Sequence, residues 1–155
     1  MAPADRPTLP PRWIIRTIWR GHRALSRMDD GRWSLRPPAD GRAGILRLRT
    51  RGRRTGEERA ALLCYVRHGD DLVTLAMNGW GAADPAWWLN LGAHPDARVD
   101  TADGSLDVRG RAAAGDERAA LWDLCGAHRG WGDGLDRLAA LRERETAVVV
   151  LEPRG

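Results

Sequence analysis

Residues Thr146-Ala147-Val148-Val149-Val150-Leu151 leave little choice about their neighbours. After Thr146 the run is apolar, and its β-branched side chains suit a pleated strand better than a helix. With no polar face of its own, it is expected as a buried strand that closes a sheet.

The segments before it look like hairpins. Ile45 to Thr50 alternates apolar and basic residues as a half-exposed strand does, Gly52 to Gly56 turns the chain, and Arg59 to Arg67 forms a second strand. His68-Gly69-Asp70-Asp71 supplies a tight turn into a third strand, Leu72 to Met77. Ala97–Thr101 and Ser105–Ala113 pair around Asp103-Gly104. Helices are expected after Asp84-Pro85 as far as Ala93, with Asp84 as N-cap, from Asp116, and from Leu135 to Arg144. Strands joined by hairpins and not by βαβ crossovers exclude a doubly wound sheet. An α+β fold of about six mainly antiparallel strands with flanking helices is the expectation.

Residues 1–11 hold four Pro and are expected as a flexible arm, and residues 12–155 as one domain. The latter begins with a basic amphipathic helix over 12–28, in which Trp13, Ile14, Ile18, Trp19 and Leu25 oppose Arg12, Arg16, Arg20, Arg23 and Arg27. Such a helix either packs on its own domain or lies against an anionic membrane surface. No run approaches the ~20 apolar residues of a membrane span, and no signal-peptide pattern opens the chain. A cytoplasmic location is expected, with residues 12–28 the means of any contact with the membrane's inner face.

All 25 basic residues are Arg, and fifteen of them fall within residues 1–59 against six acidic residues there. This surplus calls for an anionic partner. One Tyr and no Phe leave few stacking platforms for nucleic acid, which is not expected as a partner. Cys64 and Cys125 show neither CxxC nor Cys/His spacing, so neither a metal site nor a disulfide is expected, and both are read as buried thiols.

Two segments carry chemistry. In Thr50-Arg51-Gly52-Arg53-Arg54-Thr55-Gly56, with Arg59 after it, a glycine-bounded turn and several guanidiniums form either a solvated basic hairpin or an anion site. Ala76-Met77-Asn78-Gly79-Trp80-Gly81 followed by Pro85-Ala86-Trp87-Trp88-Leu89-Asn90 is a glycine-rich loop leading into a helix. Adjacent Trp87 and Trp88 cannot share a helix face, so one is expected in the core and the other over a groove.

In this order the segments resemble the deazaflavin-dependent nitroreductase family, the mycobacterial quinone and nitro-compound reductases that use coenzyme F420. The resemblance runs from about Gly44 to Pro153. It rests on Gly52-Arg53-Arg54-Thr55-Gly56 with Arg59, the apolar strand Leu62–Tyr65, Ala76–Gly79, Pro85 through Pro95, and Val149-Val150-Leu151-Glu152-Pro153. It implies a split β-barrel of the flavin-reductase type, from an actinobacterial source. Gly52, Arg53, Arg54, Thr55 and Arg59 would hold the phosphate and glutamate tail of F420. Ala60, Ala61, Leu62, Leu63 and Tyr65 with Ala76, Met77, Asn78 and Gly79 would line the deazaflavin ring, and Trp87, Trp88 and Asn90 would close the site. The implied activity is hydride transfer to a small-molecule acceptor such as a quinone, nitro-compound or enone. A non-catalytic barrel binding F420, flavin or haem is the alternative.

The chain departs from the family where relatives carry Tyr-Pro-x-Tyr near the substrate, since His128-Arg129-Gly130-Trp131 stands there. His128 and Trp131 are the residues expected at the substrate. An indole N–H donates a hydrogen bond but is no acid, so a proton would come from His128, Arg129 or water. Leu62 replaces a frequent proline, and Trp80 a frequent glycine.

Overall fold

The structure, a computed structural model, describes residues 34–155. The expected arm and basic helix lie outside the described residues.

Six strands form a closed antiparallel barrel: β1 (Gly44–Arg51), β2 (Glu58–His68), β3 (Asp71–Leu75), β4 (Asp96–Thr101), β5 (Gly104–Ala112) and β6 (Val148–Pro153), in the spatial order β1-β2-β3-β6-β5-β4. Among the described residues three α-helices accompany them: α1 (Ala86–Ala93), α2 (Gly115–Gly126) and α3 (Leu135–Ala139).

Alternation along the strands divides the apolar residues between two cores. Leu46, Leu48, Tyr65, Leu72, Val99, Val108, Val149 and Leu151 fill the barrel, and α1 plugs it with Trp87 and Leu91. Outside it, Val66, Val73, Leu75, Val148 and Val150 meet Leu121 and Cys125 of α2 and Leu135 and Leu138 of α3, with Trp80 and Trp131. The C-terminal run is apolar at every position because β6 is buried on both faces, pairing with β3 on one side and β5 on the other. At ~25 cal/mol per Å² of apolar surface, this double-sided burial is the main favourable contribution of the strand.

Backbones approach most closely where glycine allows it. A Cβ on Gly44 would stand 2.6 Å from both the Pro38 nitrogen and Tyr65 Cε1, so β1 accepts no side chain there. The β2–β3 hairpin turns at Gly69 with φ 60°, which only glycine adopts at no steric cost.

Four details differ from the sequence reading. β3 stops at Leu75, because the Ala76 N–H donates to the Ala147 carbonyl at 3.0 Å and the chain leaves β2. α3 ends at Ala139, and Arg142 turns inward beyond it. Asp84 does not cap α1, whose N-cap is Pro85, because its carboxylate is engaged by Arg142 and Arg144. Cys125 is buried as expected, whereas Cys64 is half-buried.

Candidate functional site: an opening beside β2

The barrel is split along one half of β2. Its contact with β1 runs from Glu58 to Tyr65, but its pairing with β3 is confined to Val66–His68. Continuing the β3 register would set Met77 opposite Leu62. Instead the Thr74 hydroxyl donates to the Cys64 carbonyl at 2.7 Å and β3 then departs. Among the described residues, the first half of β2 therefore has a strand along one edge only. Side chains alternate along it: Ala61 and Leu63 pack on the barrel core with Tyr65, while Ala60, Leu62 and Cys64 point to the other face.

At one end of this opening stands the β1–β2 turn. Gly52 N–H donates to the Glu57 carbonyl at 2.7 Å and Gly56 N–H to the Gly52 carbonyl at 2.9 Å, with Gly56 at φ 72°. Arg51, Arg53 and Arg54 are exposed, and no carboxylate among the described residues pairs with them. Arg59 is half paired, 3.2 Å from Glu57. The turn is held from beneath by buried Asn90 of α1. Its Oδ1 accepts from Arg53 N at 3.2 Å and from Arg53 Nη1 at 3.1 Å, and its Nδ2 donates to Thr50 Oγ1 at 3.1 Å. Asn90 is thus occupied in orienting Arg53. Such an array of guanidiniums, charged at any physiological pH, suits a phosphate or a chain of carboxylates.

The second wall is the loop after β3. Asn78, Gly79 and Trp80 lie in succession at φ 49°, 61° and 62°, so two non-glycine residues occupy the left-handed region, one of them bulky. Backbone of this kind costs on the order of 1–3 kcal/mol per residue and persists only where its surroundings fix it. Here the Trp80 indole N–H donates to the Trp131 carbonyl at 2.7 Å, Gly79 N–H reaches Met77 Sδ at 3.0 Å, and Asn78 Nδ2 donates to the Ala83 carbonyl at 2.9 Å. Asp84 closes the loop: burial would raise its carboxyl, but hydrogen bonds from Arg142 and Arg144 outweigh this and hold it below the ordinary carboxylate range.

Segment 128–131 covers the Cys64 end. Arg129 N–H donates to the Gly41 carbonyl at 2.9 Å, Ala43 N–H to the Arg129 carbonyl at 2.8 Å, and the Cys64 thiol approaches the Gly130 carbonyl at 3.4 Å. Burial raises the Cys64 thiol against an opposing influence from Arg36. Half-buried His128 sets Nδ1 2.8 Å from the Leu124 carbonyl. A carbonyl only accepts, so that contact requires a proton on Nδ1.

Eight of the expected site residues therefore border one opening. Ala60 and Leu62 offer its β2 face, Met77, Asn78 and Gly79 its loop, and Arg53, Arg54 and Thr55 its basic end. Others sit elsewhere: Tyr65 is fully buried inside the barrel with Ala61 and Leu63 packed on the same core, Ala76 is buried where β3 ends, Asn90 is buried beneath the turn, and the Trp131 indole, 4% exposed, packs in the outer core. Trp87 is buried against the barrel core and Trp88 half-buried beside it, their rings edge-on at 6.4 Å. Arg142 and Thr74 were not singled out from sequence. Among the described residues, no three His, Cys, Asp or Glu side chains are grouped to hold a metal, and no helix is long and apolar enough to cross a membrane. A concavity of about 400 Å³ between α2, α3 and the segment before β6 is a separate place, where Arg118, Trp122, Asp136 and Glu145 are already paired with one another.

Residues 19–153 match the model of a protein family described as F420H(2)-dependent quinone reductase. Over 109 residues the chain is 30% identical to Rv3178 of Mycobacterium tuberculosis, provisionally named an F420H(2)-dependent quinone reductase, covering 70% of this chain and 89% of that one. It is 34% identical over 93 residues to the F420H(2)-dependent quinone reductase Rv1261c of the same organism, covering 57% of this chain and 61% of the relative. Among solved structures, it is similar to an F420-H2-dependent reductase designated FDR-A, with TM-score 0.61 and 25% identity over 70% of this chain and 93% of the other.

Proposed function

Since the chain belongs to the F420H(2)-dependent quinone reductase family, we propose that it is an oxidoreductase that moves a hydride from reduced F420 to a quinone, with nitro-compounds and enones as further acceptors. The observation that carries this reading is the Asn90-held turn, which sets Arg51, Arg53 and Arg54, with no carboxylate partner among the described residues, at the end of an apolar opening.

The residues fit such a cofactor. Its phosphate and glutamate tail would lie on Arg53, Arg54 and Thr55, with Arg59 released from Glu57 to join them. Its ring would lie between the outer face of β2 at Ala60 and Leu62 and the turn at Met77–Gly79, with Trp88 at the α1 side. When bound, reduced F420 supplies the hydride.

The protein contributes position and charge. Leu62 and Met77 exclude water from the ring, and the rigid loop limits the separation between donor and acceptor. As the acceptor's oxygen gains negative charge it needs a hydrogen bond or a proton. His128 would supply it from Nε2 as the imidazolium and become the neutral Nδ1–H tautomer, the form in which Nδ1 still donates to the Leu124 carbonyl, and Arg129 follows it in the chain with a fixed positive charge. Trp131 acts by fixing the segment through its carbonyl and buried indole. We propose a cytoplasmic reaction, with residues 12–28, which lie outside the described residues, as the means of any contact with the inner membrane face.

The test is a titration of purified protein with oxidised F420 beside FMN, followed by Trp fluorescence quenching and repeated with Arg54→Ala. Steady oxidation of reduced F420 by a soluble quinone completes it. Preferential F420 binding, weakened by the substitution and accompanied by turnover, supports the reading. Equal weak binding of both cofactors, or tight F420 binding without turnover, overturns it.

A further inference from the structure

Arg142 has a side chain with 0% exposure, in a segment that neither helix nor strand claims. A guanidinium has five N–H donors in a fixed fork, and all five are used. Nε donates to the Gly81 carbonyl at 2.9 Å. Nη1 donates to the Ala76 carbonyl at 3.0 Å and Thr146 Oγ1 at 2.9 Å, and Nη2 to Asp84 Oδ1 at 2.7 Å and the Ala83 carbonyl at 3.5 Å. Four of these acceptors belong to one stretch, Ala76 to Asp84, and they flank the left-handed residues Asn78, Gly79 and Trp80.

The arrangement explains how the strained turn persists. A loop bent through three positive φ values tends to relax toward ordinary backbone unless both of its ends are fixed. Ala76 fixes the entry, and Gly81, Ala83 and Asp84 fix the exit, through one planar group. The Trp80–Trp131 hydrogen bond ties the apex to segment 128–131. Lys at 142 keeps the charge but donates from a single nitrogen and cannot span these acceptors.

We propose that Arg142 is a positioning residue for the cofactor ring: it locks the turn Asn78–Trp80 into the shape that walls the opening beside β2. Arg142 acts through the loop, from beneath it. The inference rests on the reading of this opening as the deazaflavin site.

Arg142→Lys, Arg142→Met and Asp84→Asn are compared with the unaltered protein by amide hydrogen exchange and by F420 binding. The expected result for Arg142→Lys is faster exchange confined to residues 78–84, with the strands still protected. F420 affinity falls about tenfold or more, equivalent to ~1.4 kcal/mol, and the visible absorption band of bound F420 moves toward that of free coenzyme. Arg142→Met goes further in the same direction. Arg54→Ala, which acts on the tail, weakens binding but leaves the band of the residual complex unchanged. Should the Arg142 variants not fold, Asp84→Asn keeps the four uncharged acceptors and shows the same pattern at smaller amplitude.

Unchanged exchange at 78–84, or a loosened loop with undiminished F420 affinity and an unmoved band, overturns the proposal. Absence of F420 binding by the unaltered protein overturns the functional reading and the cofactor half of this one, and the exchange comparison still decides whether Arg142 holds the turn.

Discussion

Asn90 holds Arg53 at two points, its Oδ1 accepting from the backbone N at 3.2 Å and from Nη1 at 3.1 Å. A buried amide on α1 thereby fixes the direction of an exposed cation on the β1–β2 turn. Asn90→Ala leaves Thr50 Oγ1 and Arg53 without this partner, and unfolding in urea should show a loss of about 1–3 kcal/mol with an unchanged slope. F420 affinity should fall about tenfold, because an undirected Arg53 loses ordering entropy on binding.

The arginines of the turn should differ in effect. Among the described residues no carboxylate pairs with Arg54, whereas Arg59 must leave Glu57 before it meets an anion. Arg54→Ala should weaken F420 binding by about 1.5–3 kcal/mol, the worth of a hydrogen bond to a charged group, and Arg59→Ala by less. Isothermal titration at two salt concentrations checks this, and the affinity lost on raising salt should be smaller in Arg54→Ala.

Two glycines should respond with opposite signs. A Cβ on Gly130 would stand 2.7 Å from Ala43 Cβ and 3.3 Å from Cys64 Sγ, so Gly130→Ala should destabilise by about 1–3 kcal/mol through overpacking. Gly92 lies in α1 with nothing within 4 Å of such a Cβ, and Gly92→Ala should stabilise by up to ~1 kcal/mol through helix propensity. Thermal melts report both.

Acid should weaken the fold through Asp100. Burial would raise its carboxyl, but hydrogen bonds from Ser105, Arg47 and Arg49 outweigh this and hold it below the ordinary range. A depressed carboxylate contributes stability above its unfolded value of about 3.9, and loses it as pH falls through the folded value. Unfolding free energy should hold from neutrality to about pH 5 and decline below about pH 4. Asp100→Asn should flatten part of that decline and cost about 1–3 kcal/mol at neutral pH by removing the carboxylate charge that Arg47 and Arg49 share.

Thiol labelling should follow burial. Cys125 is buried, its thiol pushed up to about 12 by desolvation, and should not react with a maleimide in the native state. Cys64 is half-buried and should react slowly. Bound F420 should slow it further if the ring lies along the outer face of β2, as mass spectrometry of labelled peptides would reveal.

The barrel was legible in the sequence because strand patterning is local. The β6 run is apolar at each position because it faces two cores, and Gly69-Asp70 marks the β2–β3 hairpin by turn chemistry alone. Arg53 and Asn90 were both singled out, but their hydrogen bond was not, since it joins residues 37 positions apart. Arg142 was hidden by composition: one buried arginine among 25 basic residues carries no mark of its own. Asp84 was misread for a related reason. Asp before Pro at a helix start is a sound capping signal, and a buried guanidinium drew the same oxygen away. Trp131 matched a family position facing substrate, but its neighbours Leu135 and Leu138 draw the indole into the outer core.

The order in which a ribosome releases this chain gives the reach of Arg142 back to Ala76 a further meaning. A nascent polypeptide halted before residue 142 already possesses the arginine-rich turn, yet has no fixed loop and no β6 to seal the sheet. On the proposed reading of the opening, the coenzyme's site is therefore complete only once the C-terminal portion has been made.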